Sequence, residues 1–163
     1  MHQPPPISEL LDALARFATM LADLLARPNL DWKKRPAAGE WSLTEVVCHL
    51  RDVEREVHQA RFQALLAKED AFLPGAVTDE WVTTRQYQEQ NGRFALQEFL
   101  DARQQTIQLL QSIADPDSWN RRGRHAFFGP TSLHELVNLA VKHDEAHLPQ
   151  IAHLAGIESF PEA

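Results

Sequence analysis

The sequence is short of the features that most often announce a function. It has one cysteine, Cys48, which excludes an internal disulfide and fits a reducing compartment. It has no uncharged apolar run approaching the roughly 18 residues that cross a bilayer. Positive charge is in deficit: 16 Lys+Arg stand against 23 Asp+Glu, a net −7 with His neutral. Nucleic acids and anionic membranes are met through a basic face, so the acidic balance argues against both as partners. The opening MHQPPPISEL has neither a basic stretch nor an apolar core, and no secretory signal is expected there. G-x-S-x-G, G-x-x-x-x-G-K-[ST], the dinucleotide fingerprint and H-E-x-x-H are all missing. No segment reads as a strand, the stretch 126–128 being too brief. These absences predict one acidic, cytoplasmic domain over residues 1–163, with metal-assisted chemistry as the enzymatic reading that has support.

What is present is helical periodicity. Over residues 7–26, Ile7, Leu10, Leu14, Phe17, Leu21 and Leu24 recur three and four apart, the seam of a helix in a left-handed bundle. Pro4, Pro5 and Pro6 bar its extension backwards and Pro28 ends it. A second helix opens on a capping box, Ser42 with Glu45, and its seam continues through Val46, Leu50, Val53, Val57, Ala60 and Ala64 to about Lys68. A third, over 93–114, carries Phe99, Ala102, Thr106, Leu109 and Ile113 on one stripe. The fourth starts at a second capping box, Ser132 with Glu135, and runs to about Ala155 with Gly156 as its stop. The link 69–92, broken by Pro74-Gly75 and holding a short helix near 79–88, is long enough to cross over. The predicted fold class is all-α, a four-helix bundle.

The eight histidines sort by helical angle. At about 100° per residue, positions four apart share a face and positions nine apart oppose. The seam of the fourth helix reads Leu133, Leu136, Ala140, His143, His147, Gln150, Leu154, so His143 and His147 fill two consecutive core positions. Two imidazoles so spaced can reach one metal ion. His49 lies at the edge of the buried stripe of the second helix and is the candidate third ligand. His134 and His153 fall off the seam and are expected at the surface, and His58, nine residues after His49, is expected to point away. Three imidazoles leave coordination positions open for water or substrate, as catalytic sites require. Imidazole suits Zn, Ni, Cu and Fe, with Mn a further candidate, so the ligands do not choose the divalent metal. The competing readings are a hydrogen-bonded structural cluster without metal, and an ion that only staples the bundle.

The run Gly39-Glu40-Trp41-Ser42-Leu43 leading to His49-Leu50, and then His143-Asp144-Glu145-Ala146-His147-Leu148, resembles the DinB/YfiT-like superfamily over most of the chain. The resemblance implies an up-down-down-up bundle with a long crossover after the second helix. It also implies a metal triad on His49, His143 and His147, and dimers are common in the family. Characterised members use the metal to activate a low-molecular-weight thiol cosubstrate in transferase or isomerase reactions, and many others are described only as metal-dependent hydrolases. A small-molecule substrate and a homodimer are the corresponding expectations here, with a non-catalytic metal-binding or stress-response bundle as the alternative. Pro149, two residues after His147, removes a backbone donor inside the helix and predicts a kink.

Around the triad the residues divide by angle. Glu45, Asp52 and Glu56 project on the His49 side; Glu45 is taken up by the capping box, and the other two are rim charges or hydrogen-bond partners for an imidazole. Arg121, Arg122 and Arg124 are either a solvated run or an anchor for the carboxylates of an anionic thiol. Arg103, at the edge of an apolar face, is placed to pair with a carboxylate of the second helix. Cys48 points away from His49 and reads as a small core residue. Trp41 belongs at the start of the second helix, and Trp81 under the crossover, lining a pocket.

Overall fold

The computed structural model describes residues 3–157. The expected domain span of 1–163 therefore takes in residues 1–2 and 158–163, which lie outside the described residues. Helix α1 (Ile7–Leu25) starts after the proline run, with Pro6 at its cap. Helix α2 (Leu43–Val53) opens on the Ser42–Glu45 capping box with both reciprocal hydrogen bonds made. It continues without a break through a π-helical segment, Glu54–Gln59, into α3 (Ala60–Ala67). The crossover carries β1 (Phe72–Leu73), a 3-10 turn at Thr78–Glu80, the one-turn helix α4 (Trp81–Thr84) and a second 3-10 turn at Tyr87–Glu89. Then follow α5 (Gly92–Gln111), a 3-10 turn (Pro116–Asn120), β2 (Arg122–His125), β3 (Gly129–Ser132) and α6 (Leu133–Leu154). No helix among the described residues is long and apolar enough to cross a membrane.

Side-chain pairings fix the helix directions. Arg51 meets Glu98, Glu54 meets Arg103 and Gln59 meets Thr106, so the α2–α3 rod runs parallel to α5. His49 faces His147 while His58 faces His143, so α6 is antiparallel to that rod. Phe17 meets Phe99 and the Leu14 carbonyl meets Arg103, which sets α1 antiparallel to α5. The result is the up-down-down-up order. Parallel neighbours need a crossover, and it is Gly92 that lets α5 start close against α2: a Cβ there would sit 2.5 Å from the Trp32 ring and 2.6 Å from Thr44 Oγ1.

The core comes in two parts. Phe17, Leu21, Leu43, Val46, Leu50, Phe99 and Ile151 belong to one apolar cluster, and Leu10, Leu14, Phe62, Leu65, Leu110, Leu136 and Val137 to the other. Burying each Leu or Phe side chain contributes about 1.5–3 kcal/mol, which is what holds the rods together. On three of the four rods the break between the clusters falls at buried polar residues or just beside them: Glu54 and His58, Arg103 and Thr106, then Asp144.

Two expectations change. The chain does form strands: β1 pairs parallel with β2 and β2 antiparallel with β3, in a small sheet capping one end of the bundle. The stretch 126–128 is the hairpin turn between β2 and β3. Second, Phe62 and Leu65 are buried on the second rod, while Ala60 is exposed and Ala64 half-buried. The π segment turns less per residue than an α-helix, so every position beyond it is rotated off the 100° count. Helix α6 continues through Pro149 to Leu154 as one helix, with the proline exposed.

Candidate metal centre

The rod positions deliver the three expected histidines to one point. His49 comes from the second turn of α2, whose start is fixed by the capping box, and His143 and His147 come from one face of α6. Nε2 of His143 lies 3.1 Å from Nε2 of His49 and 3.2 Å from Nε2 of His147. The ligating atoms of all three lie within 4.8 Å of one another. His49 is buried and the other two are half-buried.

Their protonation follows from the surroundings. Burial pushes His49 down to about 3 and His143 to about 2, and the neighbouring imidazoles push both the same way. Nδ1 of His147 lies 2.8 Å from Oε1 of Gln150. An amide oxygen only accepts, so Nδ1 carries the proton and Nε2 presents its lone pair. One proton on His143 Nε2 can lie along only one of its two short N···N contacts, so hydrogen bonding alone leaves the cluster unsatisfied. A divalent ion at the centre uses all three lone pairs. Tetrahedral coordination at about 2.0–2.1 Å puts nitrogens about 3.3–3.4 Å apart, close to the separations here. The residues present fit an ion.

Trp41 closes one side, its ring 5.0 Å from that of His49 and stacked on that of His147 at 6.4 Å. Beyond it opens a cleft of about 620 Å³ lined by Trp41, His147, Gln150, Glu40, Asp79 and His153 among others. His153 is exposed, as expected. His134 is half-buried, its Nε2–H donating to the Pro5 carbonyl at 2.7 Å. Trp81 does not line this cleft; it packs on the core with the Arg85 guanidinium 3.8 Å above its ring.

The carboxylates near His49 go to other partners. Glu45 accepts from the Ser42 N–H at 2.7 Å and from Arg35 Nε at 3.0 Å. Asp52 accepts from Arg51, Arg85 and the Tyr87 hydroxyl at 2.7, 2.9 and 2.7 Å. Burial pushes Asp52 up, but these hydrogen bonds outweigh it and hold the carboxyl below its usual range. Glu56 is exposed and takes both terminal nitrogens of Arg85. Cys48 is buried, and burial pushes its thiol up to about 11, so it is a core residue rather than a nucleophile.

Behind the triad, Arg103 finds its carboxylate on the second rod, Glu54, and a second one on α6, Asp144, next to His143. Its Nε and second terminal nitrogen hold Glu54 at 2.9 Å each, and it holds Asp144 at 2.7 and 3.0 Å. Burial pushes both carboxyls up; Arg103 brings Glu54 below its usual range, while Asp144 stays raised, to about 6. Asp144 falls beside the seam in the angular count, so it had no signal of its own. His58 is a correction: it is buried and faces His143, because the π segment turns it inward. The signal was in the spacing, since Val57 and Phe62 are five residues apart, the step of a π turn.

Comparison with known proteins agrees with this architecture. No curated protein matches the chain. Among solved structures, YfiT from Bacillus subtilis superposes with a TM-score of 0.81 over 96% of this chain and 91% of its own, at 16% identity. YfiT is described as a probable metal-dependent hydrolase with an unusual four-helix bundle topology. At that identity the likeness is one of fold. The DinB superfamily model matches residues 9–151, a span that reaches into all four long rods and includes His49, His143 and His147; the chain belongs to the DinB superfamily.

Proposed function

We propose that His49, His143 and His147 hold one divalent metal ion and that the protein is a metal-dependent hydrolase of a small molecule admitted through the Trp41 cleft. The observation that carries this reading is the convergence of three Nε2 atoms at 3.1 and 3.2 Å beside an open cleft. When bound, the ion supplies a Lewis acid that lowers the pKa of a coordinated donor and stabilises developing negative charge. The protein's own part is to keep His49 and His143 neutral by burial and to fix the His147 tautomer through Gln150. Trp41 and the cleft walls shield the centre and orient the substrate.

Thiol transfer is the finer reading carried by the resemblance, and the cleft gives it little support. Low-molecular-weight thiols with carboxylates need a cationic anchor, yet among the described residues no Lys or Arg lines the cleft, whose charged walls are Glu40 and Asp79. Arg121, Arg122 and Arg124 lie on or beside the small sheet, where Arg121 donates to the Leu66 carbonyl and Arg124 pairs with Asp70. The Arg121 carbonyl accepts from Leu133 N–H at the start of α6, about 20 Å of helix away from His147. A homodimer is part of the proposal and is read by sedimentation.

The test is metal content by mass spectrometry on untagged protein prepared without chelator or nickel resin, beside a His143→Ala/His147→Ala double variant. Near-stoichiometric metal that disappears in the variant supports the reading and names the ion for ester and amide substrate screens. A wild type that takes up no Zn, Ni, Fe or Mn on incubation overturns it in favour of a structural cluster.

A further inference from the structure

A fourth histidine, His58, packs edge-on against the His143 ring, and it is not among the residues that line the cleft. His58 is 7% exposed. Its ring centroid lies 5.4 Å from that of His143, while the rings of the converging three are 4.6, 5.0 and 5.2 Å apart. Its other aromatic neighbour among the described residues is Phe62, stacked at 6.3 Å. Trp41, by contrast, touches His49 and His147, so the triad is flanked by an indole on the cleft side and by an imidazole on the buried side.

Two observations set His58 apart from a packing residue. Its Nε2 is buried without a hydrogen-bond partner among the described residues. A nitrogen left bare in the interior is destabilising, and buried polar atoms in native structures are nearly always satisfied by protein, water or an ion. The backbone also departs from the α-helix to bring it there. Along an unbroken α-helix His58 would oppose His49, and the π-helical turns at Glu54–Gln59 rotate it inward. Such turns are rare and occur frequently at functional sites. Leu or Phe would fill the space beside Phe62 without leaving a polar atom unpaired.

We propose that His58 is a positioning residue of the metal centre. Its Nε2 hydrogen-bonds the non-protein oxygen donor, water in the simplest case, that completes the coordination of the ion on its buried side. His58 is not itself among the nitrogens that lie within 4.8 Å of one another, so it acts through that bridging group rather than as a ligand. The inference rests on the metal-binding reading of His49, His143 and His147. It adds that a non-protein donor of the ion would be held from the buried side by His58, across the triad from the wall that Trp41 forms.

Cobalt(II) added to the metal-free full chain is the probe, with the visible absorption of the bound ion and its affinity by chelator competition as readouts. Changing a partner of this kind typically costs about 10–100-fold in metal affinity. His58→Leu is expected to lose affinity in that range and to shift the cobalt spectrum, with a far-UV dichroism spectrum like that of the wild type. His58→Gln, which keeps a hydrogen-bonding group near the same place, is expected to recover most of both. Should His58→Leu fail to fold, His58→Met fills the space and carries the same comparison. Wild-type affinity and an unaltered spectrum in the folded apolar variant would make His58 a packing residue and overturn the inference alone. A wild type that binds no cobalt overturns the metal reading, and this inference with it.

Discussion

At the scale of single residues, the site is built on which nitrogen carries a proton. Gln150 is the seam residue that follows His147 by three, and its amide oxygen holds the Nδ1–H of that ring at 2.8 Å. Without it the ring is free to rotate and to change tautomer, and the lone pair no longer points at His143. Gln150→Leu fits the same half-buried position but accepts no hydrogen bond. It is expected to weaken zinc binding by about 10–100-fold, measured by chelator competition, while the melting temperature of the metal-free protein stays within a few degrees of the wild type. Zinc affinity equal to that of the wild type would mean that the tautomer is set elsewhere. The convergence of His49, His143 and His147 was legible in the sequence because each lies on a stretch of regular α-helix with a marked start. His49 is seven residues after Ser42, and His143 and His147 follow Ser132 along one seam. His58 was not legible from the same rule, because a count at constant twist cannot anticipate a local change of twist.

At the scale of elements, both helices that carry the site start at a capping box. The Glu45 side chain is 1% exposed and is held from two sides, by the Ser42 N–H and by Arg35. Burial pushes its carboxyl up, but the Arg35 and Ser42 hydrogen bonds outweigh burial and keep it below its ordinary value of 4.5. A carboxyl whose folded pKa is depressed contributes stability above its unfolded pKa and loses it as pH falls toward the folded one. Glu45→Ala is therefore expected to lower stability by about 1–2 kcal/mol at pH 7, where the buried Ser42 N–H is left unpaired. The gap to the wild type narrows as pH drops below about 4.5, which urea midpoints of the metal-free protein across pH 7 to 3 would read. A gap constant with pH would show that the ionised carboxylate has no part in the cap. The small sheet is the element that the sequence hid. Its strands are two to four residues long, and β2 and β3 read Arg-Gly-Arg-His and Gly-Pro-Thr-Ser, with none of the β-branched alternation that marks a strand. It forms because backbone groups left by the crossover find each other: Arg124 N–H donates to the Ala71 carbonyl at 2.8 Å and Ala126 N–H to the Leu73 carbonyl at 3.0 Å.

At the scale of the whole molecule, one guanidinium joins all four rods. Arg103, on α5, is 1% exposed and binds Glu54 on the second rod, Asp144 on α6 and the Leu14 carbonyl of α1 at 3.2 Å. It sits where the two apolar clusters part, and Asp144 immediately precedes the turn of α6 that carries His147. The network is thus a spacer that sets how far apart α2 and α6 stand, and so the separation of His49 from the pair on α6. Taking charges out of water is costly, and a buried ion network is often no more stabilising than apolar residues of the same size. Removing one partner is a different matter, because it strands the others. Arg103→Met leaves two buried carboxylates without a cation and is expected to cost about 3–5 kcal/mol in the urea unfolding of the metal-free protein. The triple variant Arg103→Met/Glu54→Met/Asp144→Leu removes every charge and is expected to recover most of that loss. If the network holds the rods at the spacing the triad needs, the triple variant regains stability but not zinc affinity. Recovery of both would reduce the network to a satisfied remnant of burial, and recovery of neither would place the spacing in the shapes of these three side chains rather than in their charges.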